Sequence, residues 1–306
     1  MQSGPYEPRQ VAHARCAAAK PGLNLVLYNS GKVVAQGKGV QDWVEFVWEP
    51  EITGEVGTTI QGRTVDNSGP EPLPRIGIDE SGKGDFFGPM VVAAFALRQG
   101  DLERLATLGA RDSKQIKSAA KINRIATALL TECAPQCEIL CLPPETYNRL
   151  VGKMGSVNRV LAWGHATVLE NLLERFSDIG HAVADQFGPE SQIEKALKTK
   201  GKAVSLEQRH RAESDPAVAA ASILARHRFV QEMDTLSRQV NTTLPRGATH
   251  VRKPAEELVH RVGPEILTRI AKIHFRTTRQ VLEACGHDPA LLGTPEPKDY
   301  SHFRKK

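Results

Sequence analysis

Residues 75–95, RIGIDESGKGDFFGPMVVAAF, constrain this chain more than any other stretch. Two apolar runs stand on either side of a loop with three glycines, and two carboxylates, Asp79 and Glu80, fall between the first run and the loop. The runs are too short for helices and are bounded by breakers, so Ile76–Asp79 and Met90–Leu97 read as strands of a buried sheet. A strand that ends on acids beside a flexible loop has the form of a site built at a sheet edge.

The rest of the second half supports an α/β reading. Gln115–Thr131 has helical spacing, Cys137–Leu142 reads as a strand, and Val157–Phe176 as a long helix whose apolar side carries Leu161, Val168, Leu169, Leu172 and Leu173. HAVAD, residues 181–185, is a short apolar run that also ends on an acid. The next helix has a clear start, with Ser214 or Asp215 at its cap and Pro216 in its first position. A final helix is expected from Pro264 to Gly286, with Lys272, His274, Arg276 and Arg279 as a basic side; His274 itself reads as a packing residue. The alternation predicts an α/β domain with a largely buried sheet.

Ahead of this domain, the stretch from Ile52 to Arg75 carries four glycines and three prolines in GEVGTTIQGRTVDNSGPEPLPR. It reads as a linker. Before it, LNLVLY (23–28) and VVAQG (33–37) predict a hairpin across NSGK, flanked by helices at Gln10–Ala19 and Val40–Trp48: a small α+β module. The expected division is 1–60 for this module, 61–73 for the linker, 74–288 for the main domain and 289–306 for a basic tail.

Composition excludes several classes. There is no apolar run long enough for a membrane span, and the N-terminus lacks the basic-then-apolar order of a secretion signal. Five cysteines, an odd number, do not make a disulfide framework. Cys133, Cys137 and Cys141 recur at every fourth residue, but Pro135 interrupts them and no His or second Cys pair completes a zinc set. A reduced, cytoplasmic, monomeric protein without an obligate protein partner is expected. The net charge of +5 permits a polyanionic partner without requiring one.

Asp79, Glu80 and Asp185 lie at strand ends, and Asp215 opens a helix. Four carboxylates meeting at one sheet edge could not all stay ionised without counter-charge, and hard oxygen ligands suit Mg²⁺ or Mn²⁺. Adjacent strand residues face opposite sides, so Asp79 and Glu80 can share a site only if the strand breaks there. Taken singly, each acid could be a cap or a solvated turn. Two rivals remain open at this point. Gly77–Gly84 falls one residue short of a phosphate-binding loop, since Gly84 stands where a hydroxyl should hold Mg²⁺, and its two acids would repel a phosphate. A non-catalytic duplex-binding protein would use cations towards phosphate, which four clustered acids oppose.

DESGKGDFFGP, DSK at Asp112–Lys114, NRVLAWGHATVLENLL, VADQF and RAESDPAVAAASILAR together resemble the type 2 ribonuclease H family, and within it the ribonuclease HIII branch. The resemblance runs from about Ile76 to Cys285. LNLVLYNSGKVVAQGKG is similar to that branch's N-terminal domain, which is like one repeat of the TATA-binding protein. The resemblance implies an α/β, ribonuclease H-like fold, a mixed sheet flanked by helices after a small N-terminal α+β domain, and endonucleolytic hydrolysis of the RNA strand of an RNA–DNA hybrid, leaving 5′-phosphate and 3′-hydroxyl ends. It implies an acidic tetrad of Asp79, Glu80, Asp185 and Asp215 holding two divalent ions, Mg²⁺ or Mn²⁺, with Asp79 as the candidate bridging ligand. Ser81, Gly82, Lys83 and Gly84 would meet the ribose 2′-hydroxyls and phosphates, the glycines so that no side chain blocks the approach. Ser113 and Lys114 would lie near a substrate phosphate. Lys83 between the glycines and Asp85 after them favour the HIII branch over the HII branch. The basic run Lys195–Arg211 reads as a solvated face or a backbone contact, and His165 as structural.

Overall fold

The computed structural model describes residues 6–29, 33–44, 47–48, 73–110, 116, 118–185, 196–197, 201–209 and 212–293. The chain divides into two compact units near residue 65. The first contains a four-stranded antiparallel sheet, β1 (Glu7–Pro8), β2 (Ala14–Lys20), β3 (Leu23–Tyr28) and β4 (Val33–Gln36), in the order β1-β2-β3-β4. A short helix, α1 (Val40–Trp43), supplies Trp43 to a small core with Leu23 and Val44.

The helix expected over Gln10–Ala19 is instead strand β2. Its alanines favour a helix by propensity, but Lys20 pairs with Leu23 across Pro21-Gly22, and Gly22 takes φ 78°. Proline followed by a glycine at positive φ is a type II turn, which closes β2 onto β3. Pairing across the hairpin overrides local preference.

The second unit is built on a five-stranded mixed sheet in the order β7-β6-β5-β8-β9. Its strands are β5 (Arg75–Ser81), β6 (Met90–Leu97), β7 (Cys137–Leu142), β8 (His181–Asp185) and β9 (Ser205–Arg209). The β5–β6–β7 pairings are antiparallel, whereas β5, β8 and β9 run parallel. From the sequence, β9 reads only as part of the basic run Lys195–Arg211. Its residues are polar because it is an edge strand with one neighbour.

Helices cover both faces. They are α2 (Asp101–Leu108), α3 (Ala119–Glu132), α4 (Pro144–Met154), α5 (Val157–Arg175), α6 (Pro216–Gln239), α7 (Arg252–Val262), α8 (Ile266–Ile270) and α9 (Arg276–Ala284). α6 lies across β5 and β6 on one face, and α5 on the other. Both approach closely because of glycine. A Cβ on Gly77 of β5 would stand 2.1 Å from the Ala217 carbonyl carbon and 2.2 Å from Val218 N, and one on Gly164 of α5 would stand 3.0 Å from Val92 Cγ2.

The single helix expected from Pro264 to Gly286 is two, α8 and α9. Between them the chain leaves the helix to make a β-bridge between Ala271 and Phe87, flanked by Gly88 N to Ile270 O (2.8 Å) and Lys272 N to Phe86 O (2.8 Å). Lys272 is therefore fully buried and is not part of an exposed basic side. Among the described residues, no helix is long and apolar enough to cross a membrane.

Candidate active site

The parallel register of β5 and β8 assembles the first two acids. Ile78 pairs with Ala184, so Asp79 and Asp185 come one step later, side by side at the C-terminal ends of neighbouring strands. Asp79 is 7% exposed and receives the Ser222 hydroxyl of α6 and the Glu80 amide, the latter at 2.8 Å. Burial, then the charges of Asp185 and Glu80, push the Asp79 carboxyl well above the usual carboxylate range. Asp185 Oδ1 accepts from Ala212 N at 3.0 Å, which ties β8 to the turn before α6.

Glu80 departs from the expected arrangement. The strand does not break after Asp79: the ladder continues through Glu80↔Val92 to Ser81↔Val91. Glu80 consequently projects to the α5 face, where its Oε2 lies 3.0 Å from Nε2 of the fully buried His165. His165 is thus structural, and its task is specific. It fixes the second acid, and the signal for it was Gly164, which lets α5 come near enough.

Asp215 takes the capping place expected for it. Its Oδ1 accepts from Ala217 N (2.7 Å) and Val218 N (3.2 Å), capping α6, while Oδ2 takes the Arg75 Nε at 2.7 Å in a pair almost without solvent. Both oxygens are engaged, and the charges that raise Asp79 come from Asp185 and Glu80. The structure makes Asp215 a cap and an ion-pair partner that seats α6 against β5. Among the described residues no three His, Cys, Asp or Glu side chains already converge as a metal-binding set. Asp79, Asp185 and Glu80 lie near enough that the charges of the last two act on the first. Their oxygen chemistry fits a hard divalent cation, and a buried acid raised by two others is one that such a cation would relieve.

Residues 76–278 match the family model described as Ribonuclease HII. The chain is 40% identical to ribonuclease HIII of Protochlamydia amoebophila over 276 residues, covering 90% of this chain and 89% of that one. It is 42% identical to ribonuclease HIII of Chlamydia pneumoniae over 262 residues, covering 85% of each. The chain belongs to the ribonuclease HIII family. It is accordingly an enzyme of the ribonuclease H class. The crystal structure of Bst-RNase HIII in complex with Mn²⁺ superposes with a TM-score of 0.63 at 30% identity, covering 90% of this chain and 91% of that one. The ribonuclease H2 of Pyrococcus horikoshii OT3, at 20% identity and TM-score 0.55, shares the fold.

In this ribonuclease HIII family member the glycine loop is fixed from within. Gly82 has φ 98°, and a Cβ there would stand 2.3 Å from Pro89 O and 3.0 Å from the Phe229 ring. Glycine at 82 is thus demanded by the protein's own packing, whatever approaches from outside. Asp112, Ser113 and Lys114 lie outside the described residues. Beyond the loop, Asp85 Oδ1 accepts from Gly247 N at 2.6 Å. Lys272 Nζ donates to Asp85 O (2.9 Å) and Gly88 O (2.8 Å), clamping the turn from behind between Tyr147 and Phe229. His274 packs beside it against Tyr147 and Phe275, and burial followed by the Lys272 charge pushes its pKa down to about 3.

Burial pushes the Lys272 pKa down to about 7, with the Asp85 charge opposing. A base lowered in the fold contributes stability above its ordinary value and loses it as pH falls through the folded one. Folding stability should therefore rise between about pH 7 and about pH 10, the ordinary lysine value. Lys272→Met should lack this rise. It should also cost about 1–3 kcal/mol at pH 9 by stranding the Asp85 and Gly88 carbonyls. Urea midpoints at pH 7 and pH 9 test this, and an identical pH slope in both proteins would contradict it.

Proposed function

We propose that the chain hydrolyses the RNA strand of RNA–DNA hybrids internally, using two divalent cations, Mg²⁺ or Mn²⁺, and leaving 5′-phosphate and 3′-hydroxyl ends. The observation that carries the reading is Asp79: a buried acid with raised pKa, beside Asp185 on the next parallel strand and Glu80 on its own, in a chain of the ribonuclease HIII family. Asp79, Glu80, Asp185 and Asp215 would hold the cations. Cations bound there would supply counter-charge and activate a water for attack on the phosphodiester. His165 orients Glu80, Ser222 orients Asp79, and Asp215 with Arg75 seats the helix that brings Ser222 in. The binding of Mn²⁺ by Bst-RNase HIII supports a metal requirement here.

Ser81, Gly82, Lys83 and Gly84 follow the acids directly and would meet ribose 2′-hydroxyls and phosphates, with Ser113 and Lys114 on a further phosphate. The N-terminal module would grip the hybrid, and the enzyme would act as a cytoplasmic monomer. The test is a panel of matched substrates with Mg²⁺ or Mn²⁺: full hybrid, a four-ribonucleotide insert in DNA, a one-ribonucleotide insert and duplex RNA. Hybrid and the four-ribonucleotide insert should be cut, the single insert poorly and duplex RNA not at all. Failure to cut the hybrid with either ion would sink the reading. Repeating the panel without residues 1–60 should show weaker hybrid binding with cleavage recovered at high enzyme concentration, and unchanged affinity would remove the grip.

A further inference from the structure

Ser222, Arg226 and Val230 rise at intervals of four along α6 and share one half-buried face. The face starts at the acids, because the Ser222 hydroxyl bonds Asp79. One helical turn, about 5.4 Å along the axis, carries it to Arg226. There it enters a groove of about 400 Å³ between α3 and α6, lined by Asn123, Arg226, Gln231, Asp234 and Arg246 among others. The wall with Arg246 belongs to a loop bonded to the turn that follows the glycine loop, through Gly247 N to Asp85 Oδ1 (2.6 Å) and Phe86 N to Gly247 O (2.9 Å). The groove is thus anchored on one side to the helix holding Asp79's partner and on the other to the turn behind Gly82–Gly84.

Two guanidiniums face this groove against the single carboxylate of Asp234. Among the described residues neither arginine has an ion-pair partner; Arg226 Nη1 reaches only the Ile116 carbonyl, at 3.4 Å. Burial and the like charge of Arg246 pull the Arg226 pKa down. Like charges brought together in a concave site are relieved by a shared anion, and a guanidinium fork matches a phosphate oxygen pair.

We infer that Arg226 and Arg246 form a phosphate seat that holds the substrate backbone about one helical turn from the acids. This rests on the hybrid-cleaving reading, and its ligand is a backbone phosphodiester, with no base recognised. Such a contact adds binding in the ground state and the transition state alike, so its loss should raise KM and leave kcat nearly intact.

The test measures hybrid binding and cleavage by the full chain for Arg226→Gln, Arg246→Gln and the pair, from 50 to 300 mM salt. Each single change should weaken binding by about tenfold and lower the slope of log Kd against log salt by about one, with kcat at saturating hybrid within about twofold of the parent. Arg246→Gln is the cleaner probe, because Arg226 also bonds a backbone carbonyl, and unfolding temperatures check that both variants fold. A parent that cuts hybrid while the Arg246→Gln variant keeps the full salt slope would overturn the seat alone. A parent that does not bind hybrid would overturn the function with it.

Discussion

Asp79→Asn should abolish cleavage and at the same time stabilise the metal-free protein. The carboxylate sits in a buried position where desolvation, then Asp185, then Glu80 oppose its charge. An acid whose pKa is raised in the fold contributes stability that is fully present below the ordinary carboxylate range and is lost as pH rises through the folded value. Parent protein without metal should therefore lose stability above that range relative to the Asn variant, and the gap should widen as pH rises to neutrality. The amide keeps the size of the side chain and can still bond Ser222. It cannot supply the charge a divalent cation needs. Several kcal/mol of transition-state stabilisation from a metal correspond to a loss of about three orders of magnitude in rate. Thermal melts with and without Mn²⁺, alongside hybrid cleavage, read both halves. The parent should gain stability from Mn²⁺ and the variant much less. Cleavage at the parent rate would remove Asp79 from the site.

Gly77→Ala carries the second large expectation. The added methyl would meet only backbone: the Ala217 carbonyl carbon at 2.1 Å, Val218 N at 2.2 Å and Ala217 O at 2.5 Å. No rotamer change relieves such a clash, so the first turn of α6 must move off β5. That turn holds the Asp215 cap and its ion pair with Arg75, and the next turn holds Ser222. We expect a cost of about 3 kcal/mol, which for a unit of this size lowers the melting temperature by roughly 10 °C, and a fall in cleavage even where the protein is folded. Gly100→Ala is the control, since a Cβ there has nothing within 4 Å. A Gly77→Ala protein melting with the parent would show that α6 has room that the structure denies it.

Much of this is legible in the sequence. The strand that ends on Asp79, the strand that ends on Asp185 and the helix opened by Asp215-Pro216 are local patterns, and each survives in the fold because period and capping act over a few residues. The hairpin of β3 and β4 was legible for the same reason. β2 was not, because its alanine-rich sequence favours a helix and only the turn at Pro21-Gly22 and the pairing with Leu23–Tyr28 make it a strand. β9 hid in a basic run, and the last helix concealed a break that exists only because Ala271 meets Phe87.

The site divides along the same line. By itself the sequence determined which acids close which elements, where the glycine loop begins and which family the motifs resemble. It did not determine which way the acids face. Continuous pairing of β5 with β6 through Ser81 turns the Glu80 side chain toward α5, where His165 meets it. A cation 140 positions before Asp215 occupies one of its oxygens. Lys272, read as part of a basic side, became a buried clamp on the turn behind the glycines. These outcomes depend on sheet register and on how closely two helices approach the sheet. Both are set by contacts between residues far apart in the chain, which short-range pattern cannot encode and only the packed fold decides.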